Sequence, residues 1–192
     1  MALPRFFAWC DLECTGLDEN LDPILEIGLV LTEVGVDCRE VDCLTAVTMP
    51  KDPDWKDRMD EYVLRMHTLN GLIGDVERVG RPIREVESEI LTMLMKWGRP
   101  HNFMLAGSGV SHYDRRFIKR QMPGFDKWLQ HPSFDVGTFR RGLTFCGRKD
   151  LDSFGQTFDG NDKPHRGMAD VRDHLNEWRQ YASILQSLPE ES

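Results

Sequence analysis

No apolar run in the 192-residue chain approaches the ~18 residues of a membrane span. The opening "MALPRFFAWCDLE" lacks the basic segment, long apolar stretch and small-residue cleavage site of a signal peptide. The reading is therefore a protein without a membrane partner. Cysteine is scarce and odd in number: Cys10, Cys14, Cys38, Cys43 and Cys146. An odd count without an export signal predicts reduced thiols and a cytoplasmic location. Zinc at Cys38 and Cys43 is the sharper alternative, but their spacing is unusual and no second pair follows. Excess positive charge is also missing. A net charge of −8 argues against holding long duplex nucleic acid by its phosphates. It leaves room for short strands, or for phosphates met through metal ions. Local basic clusters do exist, at Arg115, Arg116, Lys119 and Arg120 and at Arg140 and Arg141. Repeats, low-complexity tracts and long linkers are absent, so residues 1–192 read as one domain.

What is present is a run of strands followed by strands alternating with helices. Residues 5–12 read as a buried strand, "PILEIGLVLTE" (23–33) as a second and 38–49 as a third, forming a meander. A Pro-, Asp- and Lys-rich loop (50–57) precedes a helix over 57–67. Ile83, Val86, Ile90, Met93, Leu94 and Trp97 repeat at helical spacing over 82–98, which Gly98 and Pro100 end. "FMLAG" (103–107) predicts a short strand, "HYDRRFIKRQM" the start of a helix, and Phe134 a short strand before a helix reaching Cys146. Met168, Val171, Leu175, Trp178, Ala182 and Leu185 predict the buried stripe of a last helix. The order implies an α/β fold: a mixed sheet with helices packed on it.

The first strand ends in "WCDLECTGL" (9–17). Alternate strand residues share a face, so Asp11 and Glu13 point the same way. Two adjacent like charges raise each other's pKa unless a cation sits between them, and hard divalent ions prefer carboxylate oxygens. Alone, the pair reads as two solvated acids. "GSGVSHYDRRFIKR" adds Asp114 near a helix start after a strand. "HRGMADVRDHL" adds Asp170 in the first turn of the last helix, with His165 five residues earlier. Each has a plain alternative, a helix N-terminal acid or a surface histidine. Four carboxylates and a loop histidine in this order, at these element ends, are a much rarer combination.

That pattern, Asp-x-Glu, then Asp, then His-x4-Asp, resembles the DEDDh 3′→5′ exonucleases, which have an RNase H-like fold. Within them the chain is most similar to the oligoribonucleases, through "WCDLECTGLD", "ILEI" (24–27), "RMHTLNGL" (65–72), "DRRF" (114–117) and "DVGT" (135–138). The resemblance runs from about residue 7 to 182. It implies an RNase H-like mixed five-stranded sheet with helices on its faces. It implies 3′→5′ hydrolysis of short single-stranded RNA to mononucleotides with two divalent cations, Mg²⁺ or Mn²⁺. The implied metal ligands are Asp11, Glu13, Asp114 and Asp170, with His165, on a mobile loop, as the base. Backbone amides of Cys14, Thr15 and Gly16 would meet the terminal ribose, Leu17 would wedge between bases, and Tyr62 and His67 would line the terminal base, the plain alternatives for these two being a packed tyrosine and a histidine hydrogen-bonded to the backbone.

The chain departs from these relatives in three places, one of them "HRGMAD" (165–170), which stands where the family reads His-x-Ala-x-Asp-Asp and keeps the histidine-to-aspartate spacing. The chain is one residue longer between Gly107 and Asp114. The tyrosine- and arginine-containing stretch that caps the 5′ phosphate in the family, partly across a homodimer, reads "QHPSF" (130–134) here. A broader 3′→5′ exonuclease acting on single-stranded DNA as well as RNA is therefore the alternative. A non-catalytic oligonucleotide-binding relative is a third reading, and its signature would be a lost ligand or a lost histidine; all five residues are present.

Overall fold

The computed structural model describes residues 3–148 and 165–187. Strands β1 (Phe6–Cys14), β2 (Ile24–Glu33) and β3 (Glu40–Val47) form the expected meander. A 3₁₀ turn at Trp55–Arg58 leads to α1 (Glu61–Leu69), α2 (Leu72–Val79) and α3 (Ile83–Trp97). Then come β4 (Phe103–Gly107), α4 (Asp114–Gln121), α5 (Pro123–Trp128), β5 (Phe134–Asp135), α6 (Val136–Phe145) and α7 (Gly167–Ser187). The five strands lie in the order β3-β2-β1-β4-β5. β1 pairs antiparallel to β2 and parallel to β4, so the sheet is mixed as expected. Among the described residues no helix is long and apolar enough to cross a membrane.

The helical region between β3 and β4 is more divided than the sequence suggested. The helix expected over 57–67 is the 3₁₀ turn followed by α1, whose N-cap Asp60 accepts the Tyr62 amide. Gly71, at φ 82°, separates α1 from α2, a conformation open to glycine without steric cost. The sequence reading also passed over α5, a six-residue helix started by Pro123.

The two faces of β1 have different jobs. Ala8, Cys10, Leu12 and Cys14 point into the main core with Val86, Ile90 and Leu94 of α3 and Phe117 of α4. Phe7 and Trp9 face the other way, packing with Val171 and Leu175 of α7. Asp11 and Glu13 continue this second row, so the acids lie on the face that α7 covers. Under β2 and the start of β3's following loop, Leu25, Trp55, Leu72 and Val76 make a third cluster.

The stripe of α7 holds for Val171, Leu175 and Ala182, but Leu185 is exposed. The second half of the helix faces α6 through Tyr181, Trp178 and Ile184 instead. Glu177 is buried there too, accepting the Tyr181 hydroxyl at 3.0 Å and pairing with Arg140 at 3.4 Å.

Candidate active site

The β1 row and the first turn of α7 bring three acids together. Ligand oxygens of Asp11, Glu13 and Asp170 lie within 4.8 Å of one another, with Glu13 and Asp170 buried. An all-carboxylate set of this kind suits a hard divalent cation and offers no sulfur or nitrogen to a softer one. The cysteines take no part: Cys10, Cys14 and Cys38 are buried free thiols and Cys43 is exposed.

Asp114, at the start of α4, stands beside this cluster rather than within it. Its Oδ1 accepts the Leu12 amide at 2.9 Å, which ties α4 to the strand between the two acids. Burial drives its pKa up to about 7, and the charge of Asp135 adds to the rise. Backbone amides, Leu12 among them, oppose it. Asp135 is itself the N-cap of α6, accepting the Thr138 amide at 2.9 Å.

His165 precedes α7 with a left-handed backbone, φ 42°. The residues just before α7 are hydrogen-bonded to the α1–α2 turn and to β2. Asn70 Nδ2 donates to the His165 carbonyl at 2.7 Å. The next residue, Arg166, donates from Nε and Nη2 to the Glu26 carboxylate at 2.8–3.1 Å, and from Nη2 to Asp75 Oδ2 at 3.0 Å. Gly167 N–H donates to Glu26 Oε2 at 2.9 Å. Glu26 is 1% exposed and lies directly across from Glu13 in the β1–β2 register.

Of the three amides that the resemblance turns toward the ribose, that of Thr15 is engaged within the fold. The Thr15 amide is taken by the Pro23 carbonyl at 3.1 Å and its hydroxyl by Asp22. Cys14 is buried, and the Gly16 carbonyl accepts the Tyr113 hydroxyl at 2.7 Å. Leu17, by contrast, projects at the hairpin with 77% exposure, and Tyr62 stands 72% exposed on α1. His67 is 1% exposed. Its Nε2–H donates to the Cys14 carbonyl at 3.1 Å and lies 3.9 Å from Glu13 Oε2. Burial lowers its pKa, the Cys14 bond opposes this, and nearby His165 lowers it further. His67 thus braces the acidic strand end from below, whereas the sequence put it against a base.

The basic residues near "QHPSF" are mostly committed within the fold. Arg115 bonds Asp126 at 2.7 Å and the Gln130 carbonyl at 3.0 Å. Arg116 pairs with Glu19, and Arg140 with buried Glu177. Gln130 is buried, its amide donating to the His101 carbonyl. Arg141 bonds the Thr138 hydroxyl in its own helix.

Three residues of this region escaped the sequence reading: Glu26, Asn70 and Arg166. Glu26 had a signal, since a single acid inside "ILEIGLVL" is out of place in a fully buried strand unless paired. Nothing in the sequence said that Arg166 was its partner.

A mixed sheet whose first strand ends in buried acids, met by an acid from the last helix, is the layout of an RNase H-like nuclease domain. Its fold matches the zinc-ion-bound form of the E. coli ExoI–ssDNA complex with a TM-score of 0.69 at 12% identity. The alignment covers 96% of this chain and 42% of that one. The chain belongs to the exonuclease family RNase_T, which matches residues 8–177. It is 30% identical over 180 residues to the oligoribonuclease of Azoarcus sp. (strain BH72), covering 93% of each chain. It is 32% identical over 177 residues to that of Acinetobacter baylyi, covering 90% of each. Against the Pseudomonas aeruginosa oligoribonuclease (strain PAO1) the identity is 28%, over 94% of this chain and 96% of the relative.

Proposed function

We propose that the protein is a 3′→5′ exoribonuclease of the oligoribonuclease type, working in the cytoplasm on short single-stranded RNA. The observation that carries this reading is the cluster of Asp11, Glu13 and Asp170 at the end of a buried strand. Asp114 joins it as the fourth ligand. The set fits two Mg²⁺ or Mn²⁺ ions, because every donor is a carboxylate oxygen and most are buried. Such ions, when bound, activate water and neutralise the scissile phosphate.

The chain's own residues do the rest. His165 accepts the proton of the attacking water, a task suited to an imidazole near neutral pH. Leu17 wedges between the last two bases. Its apolar contact accepts any base, because every base has a π-face, and Tyr62 offers a second such surface. Their high exposure supports both assignments. Ions held by Asp11, Glu13, Asp114 and Asp170 would supply the positive charge that the scissile phosphate needs, in place of arginines, which reconciles the activity with a net charge of −8.

Length selection is the point on which this chain parts from the resemblance. A cap that rejects a third nucleotide needs charged donors to a 5′ phosphate, and arginine makes these best. Arg115, Arg116 and Arg140 form ion pairs within the fold, and Arg141 bonds the Thr138 hydroxyl. The enzyme therefore cleaves dinucleotides but discriminates less sharply against strands of about four to seven nucleotides, and depends less on the 5′ phosphate. The alternative, a broader nuclease on DNA and RNA, draws on this same feature. A series of 5′-labelled RNA and DNA strands, two to ten nucleotides long, digested with Mg²⁺ or Mn²⁺, tests both. Release of nucleotides from the 3′ end of RNA is the expected result. Equal rates on DNA would favour the broader nuclease. A steep fall in kcat/KM between two and three nucleotides, dependent on the 5′ phosphate, would show a cap built from other residues.

A further inference from the structure

We infer that Arg166, Asn70 and Glu26 are positioning residues that hold the His165 peptide in one fixed geometry over the acidic strand end. The inference rests on the reading of His165 as the base.

The backbone at His165 needs such support. A non-glycine residue in the left-handed region is held there by its surroundings, because the conformation costs free energy on its own. The structure supplies a hold on each side of the peptide unit. Asn70, in the turn between α1 and α2, grips the carbonyl of His165. Its own Oδ1 is fixed in turn by the Leu72 amide at 3.0 Å, so the side chain cannot swing away without losing two bonds. On the other side, Arg166 lies in a fork made by Glu26 of β2 and Asp75 of α2. Glu26 doubles the grip by taking the Gly167 amide with the same carboxylate.

Two glycines let the segment sit this close. A Cβ on Gly28 would collide with the Gly167 carbonyl and the Met168 amide. A Cβ on Gly167 would meet the Gly28 nitrogen at 2.8 Å and the Asp11 carbonyl at 3.0 Å. The Gly167–Met168 peptide therefore lies directly on β2 at Gly28, and Gly167 sits against β1 at the Asp11 carbonyl. Glu26 and Glu13 are cross-strand partners, so the anchor and the metal acid share one face of the sheet. Through Glu26, the position of the base is referred to the same strand pair as the position of the acids. A general base must be within hydrogen-bond reach of its proton, and an error of about 1 Å in such a group costs on the order of 10²-fold.

Arg166→Ala would strand the buried Glu26 carboxylate and risks misfolding, so two other variants carry the test. Asn70→Asp keeps the acceptor for the Leu72 amide and removes the donor to His165. Glu26→Gln combined with Arg166→Met removes the buried charge pair together and leaves Asp75 to its other partner, Arg78. Each is made in the full chain, alone and with His165→Ala. Measured are kcat and KM on a short RNA, Mn²⁺ affinity by calorimetry, melting temperature, and exchange of the Gly167 amide by NMR. The expected result is a fall in kcat of about 10- to 100-fold with KM and Mn²⁺ affinity within about 2-fold. In the His165→Ala background neither variant lowers kcat further, because both act through that ring. A normal kcat in Asn70→Asp, or losses that multiply with His165→Ala, would overturn the inference. Rapid exchange of the Gly167 amide in the wild-type protein would overturn it as well, whatever the activity. Should His165→Ala itself be fully active, the base assignment fails, and slow exchange at Gly167 would then mark the clamp as structural and end its positioning role.

Discussion

Replacing Asp114 by asparagine should make the metal-free protein more stable while destroying its activity. The Asp114 pKa is raised from 3.8 to about 7, chiefly by burial. A raised folded-state pKa means that ionising the group works against the fold. The contribution is harmless below the unfolded-state value, where both states hold the proton. Between about pH 4 and 7 the unfolded chain releases a proton that the folded chain retains, and stability falls as pH rises through that window. At ~1.4 kcal/mol per unit, a shift of about three units amounts to roughly 4 kcal/mol by pH 8. Asparagine keeps an oxygen for the Leu12 amide and has no charge to desolvate. Urea unfolding in EDTA should therefore find Asp114→Asn more stable than wild type by about 2–4 kcal/mol at pH 8, with the gap narrowing by more than half at pH 5. Saturating Mn²⁺ should favour the wild type selectively, because ligand binding to the folded state adds to its stability. A variant no more stable than wild type at pH 8 in EDTA would refute the account of Asp114 as an acid held at a cost for its ligand role.

Asp11→Ala should abolish hydrolysis and sharply weaken Mn²⁺ binding in calorimetry; near-normal turnover with Mn²⁺ would remove Asp11 from the centre. His165→Ala should lower kcat by about 10²–10⁴-fold with Mn²⁺ affinity retained, and a parallel loss of affinity would make His165 a ligand instead. Gly28→Ala puts a methyl into the Gly167 backbone, so it should cost about 1–3 kcal/mol of stability and reduce kcat. An unchanged melting temperature and rate would show that the two backbones are not in contact in solution.

The sheet was legible because its strands are dense in β-branched and aliphatic residues, and the α3 stripe because its apolar spacing is regular. The short helices were not. α2 and α5 are eight and six residues long, too short for periodicity to declare them. The acids were legible from alternation along β1 and from Asp170's place in the first turn of α7. The histidines were only half legible. Sequence order placed His165 beside the acids, but the bonds that fix it come from Asn70 and Glu26, far away in the chain. His67 matched a family position in sequence, and the plainer alternative, a hydrogen bond to the backbone, is the one its contact with the Cys14 carbonyl fits. The arginines could not be read at all. Whether Arg115 or Arg140 faces a ligand or an internal acid depends on Asp126 and Glu177, which sit on other elements or turns.

Two buried carboxylates near the strand end, Glu26 and Asp114, explain each other by contrast. Both are almost fully buried within reach of the same strand end. Glu26 is met by a guanidinium fork and a backbone amide, so its charge is balanced inside the protein. Asp114 is met by backbone amides and faces another acid, Asp135, so its charge is not balanced. A chain under selection for stability alone would treat the two alike, because an uncompensated buried carboxylate is expensive. The difference fits a division of labour. Glu26 is a structural anion, removed from the metal set by Arg166. Asp114 is left short of positive charge, and a divalent cation at the neighbouring cluster is the partner that would complete it. On this argument, exchanging Arg166 for an uncharged residue while keeping Glu26 would do more than loosen the His165 segment. It would place a second unbalanced carboxylate across from Glu13, and the metal centre would have one acid too many.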